Sequence, residues 1–517
     1  MTTDAYPHRR MITLSVMLAS IMQALDNTIA NVALPDIQGS LSTTQDQITW
    51  VLTSYIIAAA IMTPLSGWLA GRVGRRRVFL VSIVGFTVAS SLCGLAQTLP
   101  EIVAARLLQG IAGAALIPMS QAALLDINPP HNHARAMALW VMGVVLGPIV
   151  GPVLGGWLTQ NYDWRWVFYI NVPFGILSFL GVATFMRETP TRRTAFDFFG
   201  FATLSLAIGA LQLMLDRGQL KDWFSSTEIR VEAGVALLAL YLFVVHMLTT
   251  SKHPFISPGL FKDRNFLTGN VFIFIVGVVL FATLALLPSL MQDLLGYPVV
   301  LTGLLTAPRG IGTLVAMFVV GRIMGRIDAR LIIGAGFAIT AYSAWQMTGF
   351  YLQMDSHLVL WSGLAQGLGT GFVYVPLATI TFATLPGALR NEGTAMFSLI
   401  RNVGSSIGIS FVETMLVRSG QTMHAQLAEQ ITPYGIGLNG LDALLHGALP
   451  RLDAMVGQQA MMIAYDNDFK LMMLLSLAAL PLIVLLRSAR SHAAAAPSGG
   501  SQDGSGDDHG TLHGVLE

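Results

Sequence analysis

Fourteen apolar stretches, each long enough to cross a bilayer as a helix, constrain this 517-residue chain more than any other feature. A hydrocarbon core of about 30 Å needs about 20 helical residues. Stretches of that size fall at 12–35, 50–70, 78–97, 101–125, 135–158, 166–186, 198–215, 231–249, 266–290, 300–321, 331–350, 357–384, 393–416 and 470–486. Only 11% of the residues are charged, against roughly a quarter in a soluble domain. Lipid is the solvent that suits such a chain, and helices are the form in which its backbone can be satisfied there. The expected fold class is therefore an all-α membrane protein. The formal net charge of +1 excludes a basic nucleic-acid binder. A single cysteine, Cys93 in an apolar run, excludes internal disulfides and multi-cysteine metal sites.

Charge sets the orientation. With the N-terminus in the cytoplasm, nineteen of the 29 Lys and Arg residues lie on cytoplasmic segments, seven lie outside, and Arg106, Arg309 and Arg401 remain within spans. That asymmetry follows the positive-inside rule, with both termini cytoplasmic. No cleavable signal is evident; the first span follows Arg9 and Arg10 and is expected to serve as the export signal. Two outer segments are long, 216–230 and 417–469, and are expected to cap the outer face. The tail from 491 is polar and low in complexity, and is expected to be disordered.

A faint repeat joins the two ends. GRVGRRR (71–77) links spans two and three, and GRIMGRIDAR (321–330) links spans ten and eleven. Two six-helix halves separated by two extra helices would give this spacing: residues 1–186, an insertion at 187–250, and 251–490. Pseudo-repeated halves are typical of secondary transporters, whose substrate site lies between them.

Within the spans so drawn, Asp26 is the only deeply placed carboxylate. Counting 1.5 Å per residue puts it roughly 21 Å above the inner edge, and Arg106, on a helix running the other way, at roughly 22 Å. At equal depth the two can pair. Asp26 is then expected to take and give a proton as its surroundings change, with Arg106 tuning it; the alternative is a static ion pair that fixes packing. Arg309 and Arg401 have no second embedded acid. They are expected to meet substrate, water, lipid headgroups or helix carbonyls, Pro308 having freed some of the last.

GVVLGPIVGPVLGG (143–156) places Gly143, Gly147, Gly151 and Gly155 on one face, followed by Gly156, with Pro148 and Pro152 to weaken the helix ladder. Small-xxx-small faces admit a close backbone, so a hinge and seal between the halves is expected here. GWLAGRVGRRR (67–77) supplies Gly67, Arg72, Gly74, Arg75 and Arg76 for a tight turn and a latch at the inner gate. Gln109, Met22, Trp50, Tyr55, Phe281 and Tyr374 are further cavity candidates, aromatic and Met residues in spans otherwise facing lipid or neighbouring helices. His131, His133 and His246 are expected to be surface or interfacial histidines, and Glu413 a charge at an outer helix end. There is no HExxH and no GxxxxGK[ST], so an ion gradient is the remaining obvious energy source and no cofactor is expected.

Together these motifs resemble the major facilitator superfamily, and within it the fourteen-span drug:proton antiporters of the EmrB/QacA type. LDNTIANVALPDI (25–37), RLLQG (106–110), the 143–156 glycine run, WRWVFYINVPFG (164–175), LDRGQLKDWFSS (215–226), LFKDRNF (260–266), APRGIGT (307–313) and MHAQLAEQITPYG (423–435) carry the resemblance. Gly71 stands where the superfamily's loop motif usually has an aspartate, which puts the usual latch in doubt. The resemblance implies proton-driven export of lipophilic compounds across the inner membrane by alternating access, with Asp26 and Arg106 coupling the proton. It also implies a periplasmic adaptor of the EmrA type and an outer-membrane channel. Export of one metabolite, siderophore or antibiotic is a second expectation. A membrane-embedded enzyme or receptor would need a catalytic cluster or signalling domain that the sequence does not display.

Overall fold

In hydrocarbon, every backbone N–H and C=O must find its partner within the protein, and helices do this locally. The computed structural model describes residues 8–129, 132–191, 195–250, 254–324, 326–429 and 449–486. Fourteen long helices account for most of them: α1 (Arg9–Leu41), α2 (Trp50–Val73), α3 (Arg75–Leu95), α4 (Leu99–Ile127), α5 (His133–Asn161), α6 (Trp166–Phe185), α7 (Phe198–Arg217), α8 (Thr227–Thr249), α9 (Arg264–Leu294), α10 (Val299–Ile323), α11 (Ala329–Met347), α12 (Ser356–Ala383), α13 (Arg390–Glu429) and α14 (Leu449–Leu482). Thirteen combine span length with high hydropathy. The other, α11, has 19 residues and packs against α12 and α14.

Many acids near span edges cap helices. Asp197 accepts from Gly200 N at the start of α7, and Asp263 from Phe266 N at the start of α9. Thr98 and Glu101 form a capping box on α4. Each supplies an acceptor to an orphan N–H of the first turn.

α1 to α6 pack among themselves, as do α9 to α14. The two groups meet along α5–α10, α2–α13, α4–α13 and α5–α12. α7 lies against α2 and touches α13, with α8 outside it. Small residues let backbones close up inside each group: Gly404 and Gly408 of α13 meet Phe274 and Val278 of α9, and Gly367 and Gly371 of α12 meet Arg309, Thr313 and Ala316 of α10.

Three departures from the sequence reading matter. First, the helical stretches expected within 417–469, such as QTMHAQLAEQI, are continuous with the spanning helices. α13 runs 40 residues and α14 runs 34, roughly 60 and 50 Å at 1.5 Å per residue. They stay packed along their extensions, with Gly420 against Met461 and His424 bound to Asp453 at 3.1 Å. Second, α14 therefore contains Asp468, which is fully buried, so Asp26 is not the only embedded carboxylate. Third, His133 opens α5 and is buried, its Nε2 3.0 Å from Asn128 O. His131, the tail beyond 491 and residues 430–448 of the outer segment lie outside the described residues.

Candidate functional site

The deepest polar cluster is built around Asp26. Asp26 and Arg106 are each 1% exposed, and Arg106 Nη1 donates to Asp26 Oδ2 at 2.7 Å. The depths counted along the two helices thus do bring them together. Gln109, one turn beyond Arg106, donates from Nε2 to Asp26 Oδ1 at 2.8 Å and accepts from Arg106 Nη1 at 2.8 Å. Asn171 Nδ2 donates to the same Oδ1 at 2.7 Å and to Ser90 Oγ at 2.9 Å. Three donors on the carboxylate match its acceptor-only character when ionised. Arg106 also donates to Val51 O at 3.0 Å, and its guanidinium lies 4.3 Å from the centre of the Tyr55 ring. Cys93 is a buried thiol directed at Gln109. Asn27, the residue after Asp26, is exposed and reaches Tyr55. The acid therefore faces protein and polar side chains, with an exposed amide at the cluster's edge.

Asn171 was not singled out from the sequence. It stands where α6 breaks between Trp166–Tyr169 and Asn171–Phe185. An amide in an otherwise apolar run is the signal that could have found it.

The glycine face of α5 turns toward α1. A side chain at Gly143 would meet Met17 and Ile21, at Gly147 Ala24, at Gly151 Thr28, and at Gly155 Ile29 and Val32. Thr28 Oγ1 donates to Gly147 O at 3.1 Å. This corrects the expected seal between the halves, because these glycines close a seam within the first group. Gly147 and Gly151 lie on either side of the level of Asp26, so α5 backs the stretch of α1 that carries the acid. Gly156 faces open space. The contact from α5 to the second group runs instead through Val153 to Gly303 and Ala138 to Gly321 of α10. Pro148 and Pro152 lie within an unbroken helix.

The 67–77 turn, expected to act as a latch, touches both groups on the arginine-rich face. Gly67 lies against the first residues of α13, its would-be side chain 3.0 Å from Glu392 Cα. Arg75 donates to Asn391 Oδ1 (2.6 Å) and to Asp126 Oδ2 (2.6 Å). Arg390 donates to Asp126 Oδ1 at 2.6 Å. Asp126, on the first group, is thus clamped by a cation from each group. The Arg76 and Arg77 N–H groups donate to Glu188, which caps α3, and Gly74 makes the turn at φ +102°. Arg72 lies over Trp68. Gly71 has no neighbour near its Cβ position, consistent with the loop motif's missing aspartate. Asp126, Glu188, Arg390 and Asn391 were missed because each reads alone as an ordinary charge or amide at a span edge.

Among the described residues, the second group holds two buried cations without acid partners, Arg309 and Arg401. Arg309 Nη2 donates to Leu280 O at 3.1 Å. Arg401 donates to Tyr374 Oη at 2.9 Å and Asn402 Oδ1 at 3.2 Å, and its Nε has no partner. The Tyr374 ring is 6.4 Å from Trp140 of α5, whose Nε1 donates to Ser20 Oγ. Arg401 is thereby linked to the seam between the groups. Met22 is core; Phe281 is half-buried, and Trp50, also half-buried, sits beneath Arg217.

At the opposite face the 216–230 segment does cap the bundle. Trp223 Nε1 donates to Thr414 Oγ1 at 2.9 Å, Ser410 Oγ to Leu215 O at 2.8 Å, and Thr53 to Asp216. Glu413 lies near enough to Asp216 to feel its charge. At the other end of α7 and α8, His246 pairs with Asp197 at 2.9 Å.

Two groups of helices around a seam, with an embedded acid, are the architecture of a secondary carrier. Residues 16–409 match the family model described as Major Facilitator Superfamily. The chain belongs to the Major Facilitator Superfamily. It is a transporter, not an enzyme. It is 40% identical over 430 residues to the fatty acid resistance protein FarB of Neisseria gonorrhoeae, covering 83% of this chain and 85% of that one. It is 38% identical over 439 residues to the multidrug export protein EmrB of Escherichia coli (strain K12), covering 84% and 86%. The kinship with EmrB-type exporters expected from the motifs is borne out. Among solved superfamily folds, the human organic anion transporter MFSD10 (TETRAN) superposes with a TM-score of 0.60 at 14% identity, covering 91% of this chain and all of that one. The proton:xylose symporter XylE superposes with a TM-score of 0.59 at 14% identity, covering 93% and 99%.

Proposed function

We propose that this transporter exports lipophilic compounds in exchange for protons, with Asp26 as the proton carrier. The observation that carries the reading is the buried Asp26–Arg106–Gln109–Asn171 cluster inside the first helix group of an EmrB-like chain. A carboxylate held by three donors is stable while charged. Protonation removes the attraction to Arg106 and frees it to release the acid, so the proton is coupled to how the helices pack. With the Asp126 clamp closed on the arginine-rich face, loosening that clamp is the step that opens the cavity to that side.

The arginine asymmetry supports a cytoplasmic position for that face and for both termini, in the inner membrane. The long extensions of α13 and α14 on the opposite face offer a surface for a periplasmic adaptor of the EmrA type leading to an outer-membrane channel. Inside-out vesicles with an imposed pH gradient and a panel of lipophilic compounds test the reading. Gradient-driven accumulation in wild type and none in Asp26→Asn is expected; equal accumulation in both would refute the carrier role.

A narrower reading, export of one class of amphipathic acid, is favoured by Arg309 and Arg401. Buried cations without carboxylate partners suit an anionic head group, and FarB is described as a fatty acid resistance protein. Arg401→Gln should then lower export of acids while sparing neutral compounds in the same panel.

A further inference from the structure

Helix α14 carries a buried acid that the mechanism above does not use. Asp468 is 0% exposed, and among the described residues neither carboxylate oxygen has a hydrogen-bond partner. Its helix face packs Tyr465, Phe469 and Met472 against Met347 of α11, Phe350 just beyond it and Leu286 to Met291 of α9, with Val412 of α13 alongside. The ionisable groups around it are few. Tyr465, Asp466 and Lys470 share its helix, and Lys470 acts on Asp466, one turn away. α9 contributes Asp293; α11 and α13 contribute the apolar contacts just named.

An ionised carboxylate with no counter-ion and no donor in apolar surroundings costs several kcal/mol. In this conformation Asp468 must therefore hold a proton. Polar groups lead from the surface toward it, the last step from Tyr465 to Asp468 being one of proximity without a hydrogen bond. Asp293 is exposed and accepts from Ser289 Oγ at 2.9 Å. Ser289 in turn interacts with the hydroxyl of Tyr465, whose ring lies close to Asp468 one helical turn further on. Asp293 sits on the π-helical end of α9, Leu290–Leu294, and such turns recur at functional sites because they re-aim side chains.

We propose that Asp468 is a second proton-carrying site of the transporter, in the second helix group, loaded from the face opposite the arginine clamp through Asp293, Ser289 and Tyr465. This rests on the proton-coupled export proposed above and adds a second proton to the exchange. On loading, a hydronium at Asp293 loses its proton and becomes water. The two hydroxyls each accept one proton and pass one on. One O–H bond forms on Asp468, so a single positive charge has moved inward. Release reverses the steps when the helices part.

Two measurements on the purified full-length protein test this. The first is infrared difference spectroscopy across a pH titration. Wild type should show a carboxylic-acid C=O band that comes and goes with pH, is absent in Asp468→Asn and persists in Asp26→Asn. No such band, or one that never titrates while the protein stays folded, would overturn the proposal. Asp468→Glu, which keeps an acid one methylene longer, should move the band without removing it, so the assignment survives if the asparagine variant does not fold. The second is the steady accumulation ratio of ethidium in proteoliposomes with the membrane potential clamped at zero. Each exchanged proton contributes about a factor of 10 to that ratio per unit of pH gradient. At a gradient of one unit, wild type should reach about 100-fold and Asp468→Asn about 10-fold. A responsive wild type beside a variant with an unchanged ratio would overturn this inference alone. A wild type indifferent to the gradient would overturn the export reading, and this inference with it.

Discussion

Breaking the Asp26–Arg106 pair should cost more than removing it. Both residues are 1% exposed and 2.7 Å apart. Arg106→Gln would leave a buried carboxylate with only Gln109 and Asn171 as donors. Asp26→Asn would leave a buried guanidinium bonded to Val51 O and Gln109 Oε1, and would turn a new amide N–H toward donors. Stranding one charge of a buried pair costs about 3–5 kcal/mol, whereas replacing both partners is often neutral. The double variant Asp26→Asn/Arg106→Gln should therefore be more stable than either single one, with a coupling energy of at least about 3 kcal/mol. Reversible unfolding of the four proteins in mixed micelles reads this cycle. Single variants within about 0.5 kcal/mol of wild type, or effects that add to within about 0.5 kcal/mol, would refute the geometry. The same four proteins in vesicles separate structure from coupling. A double variant that folds well but ignores the pH gradient places the pair in the transport cycle; one that exports normally reduces it to a packing device.

Other expectations follow from the same contacts. Gly147→Val should abolish transport, since its Cβ would stand 2.5 Å from the Ala24 backbone, while Gly156→Ala, with open space around it, should export like wild type; vesicle flux compares them. Asn171→Ala removes a hydrogen bond to a charged acceptor, worth about 1.5–3 kcal/mol, and should lower the micelle unfolding midpoint; Ser90→Ala, which leaves Asn171 bound to Asp26, should do less. Asp126→Asn weakens ion pairs to Arg75 and Arg390 at once. It should speed thiol labelling of a cysteine replacing the buried Ser66 in a Cys93→Ala background, and an unchanged labelling rate would show that the clamp does not hold that face shut.

How much could be read along the chain depended on how many dimensions a property needs. Length and apolarity are one-dimensional, and the bilayer fixes the length of every span, so the all-helical class and the number of helices were legible. Depth is also one-dimensional, and counting residues along α1 and α4 put Asp26 and Arg106 at one level, where they are in fact bonded. Rotation about a helix axis is not. A membrane helix is apolar nearly all round, so its composition does not say which side meets which neighbour. That is why Gly143 to Gly155 could be assigned to one face but not to α1, which they contact. Groups that converge from distant parts of the chain, such as Asn171 with Asp26 or Arg390 with Asp126, were likewise decided only by packing. The polar look of 417–469 hid that its helical stretches extend the spanning helices, and with that the burial of Asp468. Sequence alone determined that this chain crosses a membrane many times with an acid and a cation at one depth; the tertiary structure decided what surrounds them, because contact between helix faces depends on rotations that hydropathy does not record.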